Sequence, residues 1–225
     1  MKLYMHPVSN TCRPVRLLIA ENKLPVEEQI VDLFTGEHYQ EPYISLNPNH
    51  MVPLLDDDGF RLTESSAILK YLCGRFELAS LYPRELRKRA RVDEAMDWFN
   101  TQFYRDYAYA VVYPQEYPHH KRPSDAIQDG TIAWGLERTQ DWFKLLNAYW
   151  LGPKKPYLTG DDMTIADYFG ACLVTLGEVI RCDFTPYPNV QRWIGNMKKL
   201  ASWNKINEAH HGFVESMKDK PFRSL

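Results

Sequence analysis

Apolar residues occur in two textures along this chain, and the change falls near residue 80. Before it, they come in short runs broken by turn formers. Lys2-Leu3-Tyr4-Met5 reads as a strand, and Pro7 to Asn10 breaks it. Val15, Leu18 and Ile19 then give a buried side to a helix expected from about Thr11 to Glu21. Lys23-Leu24-Pro25 ends that helix, Val26 to Val31 is a second strand, and residues 33–39 form a loop or helical turn. Next, Met51 to Leu55 and Phe60 to Leu62 flank Asp56-Asp57-Asp58-Gly59, where Asp-Gly tolerates positive φ and closes a hairpin. Thr63, Glu64 and Ser65 stand at a helix start, with Ile68, Leu69 and Leu72 on its buried face and Gly74 at its end. The order βαβ-ββα defines an α/β domain of thioredoxin-like arrangement.

Beyond Arg75 strand signals nearly vanish. The expected organisation is an N-terminal domain over residues 1–77, a linker over 78–84 and an all-α domain over 85–225. The first long helical run, Arg87 to Tyr109, is rich in aromatic residues, and Pro114 to Pro118 interrupts it. A second runs from about Asp125 to Asn147. Thr164 followed three residues later by Asp167 is a capping-box variant that starts a buried helix. Pro186 to Asn189 opens another helix, and the tail after Ala209 has little clear pattern.

Composition narrows the functional classes. With 225 residues, 44% of them hydrophobic, the chain can bury a substantial core. The formal net charge of −2 gives nucleic acid no general attraction, and the basic run Arg84 to Arg91 is interleaved with Glu85, Leu86 and Ala90 as a solvated helix face would be. No signal peptide and no apolar run of about eighteen residues is evident, so the expectation is a soluble cytoplasmic protein that binds neither membrane nor nucleic acid. The four cysteines, Cys12, Cys73, Cys172 and Cys182, form no CxxC pair and are expected to be reduced. The histidine pairs at 119–120 and 210–211 lack partners at ligand spacing, so they are expected at the surface, and no metal site is expected.

Two local features carry chemistry. Pro53 has no N–H to give a sheet, which leaves the backbone N–H and C=O of Val52 free to pair with a peptide-like ligand. A few residues on, the helix starting near Ser65 offers unsatisfied N–H groups to a carboxylate, and Glu64 beside it suits an ammonium group. A strand start and a plain helix cap account for each feature taken singly.

Taken together and in order, Ser9-Asn10-Thr11-Cys12-Arg13, Asn47-Pro48-Asn49-His50-Met51-Val52-Pro53, Glu64-Ser65 and Thr164-Ile165-Ala166-Asp167 make the chain resemble a cytosolic glutathione transferase of the serine-type theta and delta classes over nearly its whole length. The resemblance implies glutathione as co-substrate and Ser9 as the catalytic hydroxyl, a donor to the thiolate. It implies a cis bond before Pro53, pairing of the Val52 backbone with the cysteinyl part of glutathione, and a place for Met51 in the same segment. Glu64 would hold the γ-glutamyl amino group, Ser65 the γ-glutamyl carboxylate, and His50 with His38 the glycine carboxylate. It also implies a homodimer. Thr11 stands where these classes often have proline, and Met51 where they often have lysine or threonine.

In such a protein a hydrophobic electrophile sits between the domains, and Tyr104, Tyr107 and Val111, at i, i+3 and i+7, are expected to form its wall, with Tyr113 and Tyr117 following. Cys12 is expected to pack, although some relatives use a cysteine there to form a mixed disulfide with glutathione. Arg13 is expected to form a salt bridge or to steady the helix start, with surface exposure as the alternative. The reaction expected is attack of the thiolate on an electrophilic carbon. Dehalogenation, isomerisation, peroxide reduction and a non-catalytic structural role are the alternatives.

Overall fold

The computed structural model describes residues 1–225. The first half contains β1 (Lys2–Met5), α1 (Cys12–Glu21), β2 (Glu27–Ile30), α2 (Tyr43–Leu46), β3 (Leu54–Asp57), β4 (Phe60–Leu62) and α3 (Ser65–Arg75). The sheet order is β2-β1-β3-β4. β1 pairs parallel with β2, Leu3 opposite Glu28, and antiparallel with β3, Leu3 opposite Leu55. β3 and β4 form the hairpin, Leu55 opposite Leu62. Asp58 and Gly59 both have positive φ, 51° and 93°, as the tight hairpin turn requires. This is the thioredoxin-like arrangement, with the central strands β1 and β3 contributing Leu3, Met5, Leu54 and Leu55 to the core.

The second half is helical: α4 (Leu86–Trp98), α5 (Tyr104–Tyr107), α6 (Tyr113–Glu116), α7 (Asp125–Leu145), α8 (Ile165–Thr175), α9 (Pro188–Met197) and α10 (Trp203–Ser216). From Leu86 to Glu116 the chain is one continuous helical path, because wider π turns at Phe99–Phe103 and Ala108–Val112 join α4, α5 and α6. Every residue of α8 is buried. Its capping box is formed, and the fully buried Asp167 accepts from Leu158 N and Thr164 N, each at 2.8 Å, and from Trp193 Nε1 at 2.9 Å. No helix is long and apolar enough to cross a membrane.

The end of the chain departs from expectation. Residues after Ala209 continue α10, whose buried face is Trp203, Ile206, Asn207 and His210. That spacing of i, i+3, i+4 and i+7 is helical, but half of the face is polar and so carries no hydrophobic signature. His210 is accordingly 2% exposed, not a surface residue. Its Nε2 lies 3.3 Å from Thr175 O, and burial pushes its pKa down to about 4. A single hydrophobic cluster of 52 buried residues runs through both halves and fixes them against each other.

Candidate active site

β1 ends at Met5, and the turn over residues 6–11 carries the chain into α1. Ser9 N donates to His6 O at 3.0 Å, and Ser9 O accepts from Cys12 N and Arg13 N, each at 3.1 Å. The backbone of Ser9 thus satisfies the start of α1, while its hydroxyl faces a cavity of 850 Å³ between the two halves. The Ser9 Oγ is 3.2 Å from Thr11 Oγ1, which in turn donates to Val52 O at 3.0 Å.

Arg13 lies beneath this turn and is completely buried. Its guanidinium donates to Asn10 Oδ1 (2.5 Å), Cys172 O (2.7 Å), Asn207 Oδ1 (2.8 Å) and Thr175 Oγ1 (3.3 Å), all uncharged acceptors. Of the roles expected from sequence, the structure has neither a salt bridge nor exposure, but the bond to Asn10 does steady the start of α1. Cys12 next to it is fully buried, and burial pushes its thiol up to about 11. It is a packing residue held as the neutral thiol, with no thiolate to offer.

The opposite lip is the segment from Asn47 to Pro53. The Val52–Pro53 bond is cis. Met51 O accepts from Tyr43 Oη at 2.5 Å and Asn47 Nδ2 at 2.7 Å, which anchors the segment while the Met51 side chain stays exposed. His50 and Glu64 both hold positive φ, 55° and 66°, a backbone region that is costly for residues with a Cβ and that clusters at ligand sites. Glu64 precedes the first turn of α3. Ser65, at that first turn, donates its hydroxyl to Thr11 O at 2.8 Å, tying α3 to the Ser9 turn. His50 Nδ1 is 3.4 Å from His38 O, and burial lowers the His38 pKa.

Ser9, His38, His50, Met51, Val52, Pro53, Glu64 and Ser65 all line this one cavity, and so does Tyr104. Tyr107 and Val111 do not. Both are fully buried, Tyr107 with its hydroxyl 3.3 Å from Val174 O and its ring edge-on to Phe143. The π turn at Ala108–Val112 is the reason: it widens the helix, so the exposed stripe advances by five residues from Tyr104 to Tyr109, where α spacing would advance by three or four. The wall is therefore Tyr104, Tyr109 and Tyr113, whose rings meet edge-to-face at 5.1–6.1 Å. The hydroxyls of Tyr104 and Tyr113 are 2.5 Å apart, and burial raises both phenol pKa values. Tyr117 also lines the cavity, together with His119, which is exposed as expected, and His120, which is half-buried.

Sequence reasoning missed Tyr109 and Glu116. A five-residue aromatic step was the available signal for Tyr109. Glu116 is 8% exposed, neither carboxyl oxygen has a hydrogen-bond partner, and burial pushes its pKa up to about 7. Nothing in the local pattern marks a carboxyl in an aromatic wall.

A thioredoxin-like half thus presents a serine hydroxyl, an edge backbone and a helix start across a cavity from an aromatic helical wall. Residues 3–80 match the family described as Glutathione S-transferase, N-terminal domain, and residues 104–200 match Glutathione S-transferase, C-terminal domain. The human protein glutathione S-transferase theta-1 is 31% identical over 228 residues, covering 98% of this chain and 91% of that one. The solved structure of human glutathione-S-transferase T1-1 in apo form is 30% identical with a TM-score of 0.83, over 98% of this chain and 92% of that one. A glutathione transferase homolog from Drosophila mojavensis, solved with bound glutathione, is 27% identical with a TM-score of 0.83, over 100% of this chain and 98% of that one. The chain belongs to the glutathione S-transferase family.

Proposed function

We propose that this glutathione transferase uses Ser9 to hold glutathione as its thiolate and delivers the sulfur to a small hydrophobic electrophile lying on the Tyr104–Tyr109–Tyr113 wall. The observation that supports this reading is that Ser9, Val52 and the tyrosines of the wall all line one cavity. Val52 presents its backbone to the cysteinyl unit, Glu64 takes the γ-glutamyl ammonium, and the Ser65 N–H, at the start of α3, takes the γ-glutamyl carboxylate. His50 and His38 serve the glycine carboxylate, and Met51 closes over the peptide.

Chemically the task is to favour an anion. A free thiol with pKa near 8.5 is only a few per cent ionised at neutral pH, and a hydroxyl donor at the α1 start lowers that value. Fixing the thiolate beside the bound electrophile supplies the remainder of the rate through proximity. The domain limits follow the same division: 1–77 binds glutathione, 78–84 connects, and 85–225 supplies the electrophile wall. A homodimer and a cytoplasmic location complete the reading.

The test is a titration of glutathione thiolate absorbance on the purified protein, in parallel with Ser9→Ala. A thiol pKa well below that of free glutathione, returning upward in Ser9→Ala with glutathione affinity largely kept, is the expected result. An identical titration for the two proteins removes Ser9 from the mechanism.

A further inference from the structure

Thr11 stands at the cap of α1, where a threonine hydroxyl ordinarily accepts from a helix N–H. Here it makes no such bond. Cys12 N and Arg13 N are already taken by Ser9 O, so the Thr11 hydroxyl is spare, and it bridges Ser9 Oγ at 3.2 Å and Val52 O at 3.0 Å. Its backbone is fixed too, since Thr11 O accepts from Ser65 Oγ at 2.8 Å. One residue therefore touches three groups of the glutathione site.

Proton bookkeeping fixes the directions of these bonds. Val52 O is only an acceptor, so the single Thr11 hydroxyl proton points to it, and the Ser9 proton must then point to Thr11 Oγ1. In this arrangement Ser9 has no proton left for sulfur. A peptide thiol bound along Val52 brings its own N–H to Val52 O and an anionic sulfur to Ser9. The Thr11 proton is then free to turn to Ser9 Oγ, and the Ser9 proton turns to the thiolate. The same pair of oxygens can bond in either direction, because each hydroxyl both donates and accepts.

We propose that Thr11 is a positioning residue whose hydroxyl reverses its donation on ligand binding, from Val52 O to Ser9 Oγ, and thereby releases the Ser9 proton to the glutathione thiolate. The chain Thr11 O–H to Ser9 O–H to sulfur strengthens the Ser9 bond, since each donor polarises the next. The thiol's own proton leaves to water, and every hydroxyl keeps its single proton. The β-branched Thr11 side chain restricts the hydroxyl to few rotamers and so keeps it between its two acceptors. This inference rests on the reading of Ser9 as the thiolate donor.

The experiment compares wild type with Thr11→Val, Thr11→Ala and Thr11→Ser, each first checked for native circular dichroism. Three quantities are measured: the thiolate titration of bound glutathione, the pH profile of kcat/KM with 1-chloro-2,4-dinitrobenzene, and affinity for S-methylglutathione, which has no thiol to ionise. Loss of one neutral hydrogen bond in the relay is expected to raise the bound thiol pKa by about 0.5 to 1 and to lower kcat/KM below that pKa by about three- to tenfold. Thr11→Ser restores both values, and S-methylglutathione affinity stays within about twofold throughout, because the peptide N–H replaces Thr11 at Val52. If Thr11→Val does not fold, Thr11→Ala against Thr11→Ser carries the same contrast. A titration unchanged by loss of the hydroxyl overturns the proposal while leaving Ser9 in place, and so does a loss of S-methylglutathione affinity without a change in thiol pKa. A wild type that does not lower the thiol pKa overturns the Ser9 reading itself.

Discussion

Arg13 and Asn207 lie 194 positions apart in sequence, yet the guanidinium Nη1 donates to the amide Oδ1 at 2.8 Å inside the core. This bond joins α1, at the floor of the Ser9 turn, to α10 at the end of the chain. Neither side chain reaches solvent. The same guanidinium holds Asn10, the residue after Ser9, so the turn that carries the Ser9 hydroxyl is tied to the far end of the fold.

Replacing Arg13 by methionine keeps the volume, removes the donor from four acceptors and leaves two of them, Asn10 Oδ1 and Asn207 Oδ1, without a partner in a dry interior. Hydrogen bonds to a charged donor contribute about 1.5–3 kcal/mol each, and buried acceptors left alone cost comparably, so Arg13→Met is expected to lose on the order of 3 kcal/mol or more of unfolding free energy. Urea denaturation followed by tryptophan fluorescence measures it. A loss below about 1 kcal/mol would show that the network is dispensable.

Glu116 gives the protein a pH-dependent term with a definite sign. Its folded pKa of about 7 lies above the ordinary 4.5, so between those values the folded chain holds a proton that the unfolded chain has released. The stabilisation is complete below pH 4.5 and is lost as pH rises through 7. Glu116→Gln lacks this term, so the wild-type stability relative to the variant should fall from about pH 5 to about pH 7.5 and then level off. Parallel stability curves across that interval would remove burial as the cause.

Gly177 is the space into which Tyr107 fits. A Cβ on Gly177 would lie 1.6 Å from the Tyr107 hydroxyl oxygen, so Gly177→Ala forces a shift costing about 1–3 kcal/mol. Removing that hydroxyl with Tyr107→Phe should recover part of the loss in the double variant, because the next contact, the ring Cζ, is 2.9 Å away. Strict additivity of the two losses would contradict the packing seen here.

Within the wall, Tyr109 and Val111 should separate cleanly. Tyr109→Ala opens the cavity and is expected to raise KM for hydrophobic electrophiles by about threefold or more, because the aromatic area that contacts them is removed. Val111→Ala, fully buried away from the cavity, should leave KM unchanged and cost about 1–2 kcal/mol of stability. The reverse pattern in steady-state kinetics and denaturation would return Val111 to the wall.

Local pattern carried the first half of the fold almost completely. Alternation placed β1, the Asp58-Gly59 turn placed the hairpin, and the box from Thr164 to Asp167 placed the start of α8, because each depends on residues that are neighbours in sequence. The residues proposed to bind glutathione could be singled out for the same reason: they sit in short segments at strand ends and helix starts, and they line one cavity. Apart from α2 (Tyr43–Leu46), for which no local signal was read, the thioredoxin-like frame was thus determined by sequence alone.

Tertiary structure decided the rest. The π turn at Ala108–Val112 rotates Tyr109 into the wall and Tyr107 and Val111 out of it, and a phase change of one residue leaves no mark on composition. α10 was hidden because its buried face matches the polar groups of Arg13 and Thr175, not an apolar surface. Glu116 gained its raised pKa, and Thr11 its place between Ser9 and Val52, only when segments distant in sequence met. Periodicity records which side of an element faces inward. What that side meets is fixed by long-range packing, and there the chemistry of this site is set.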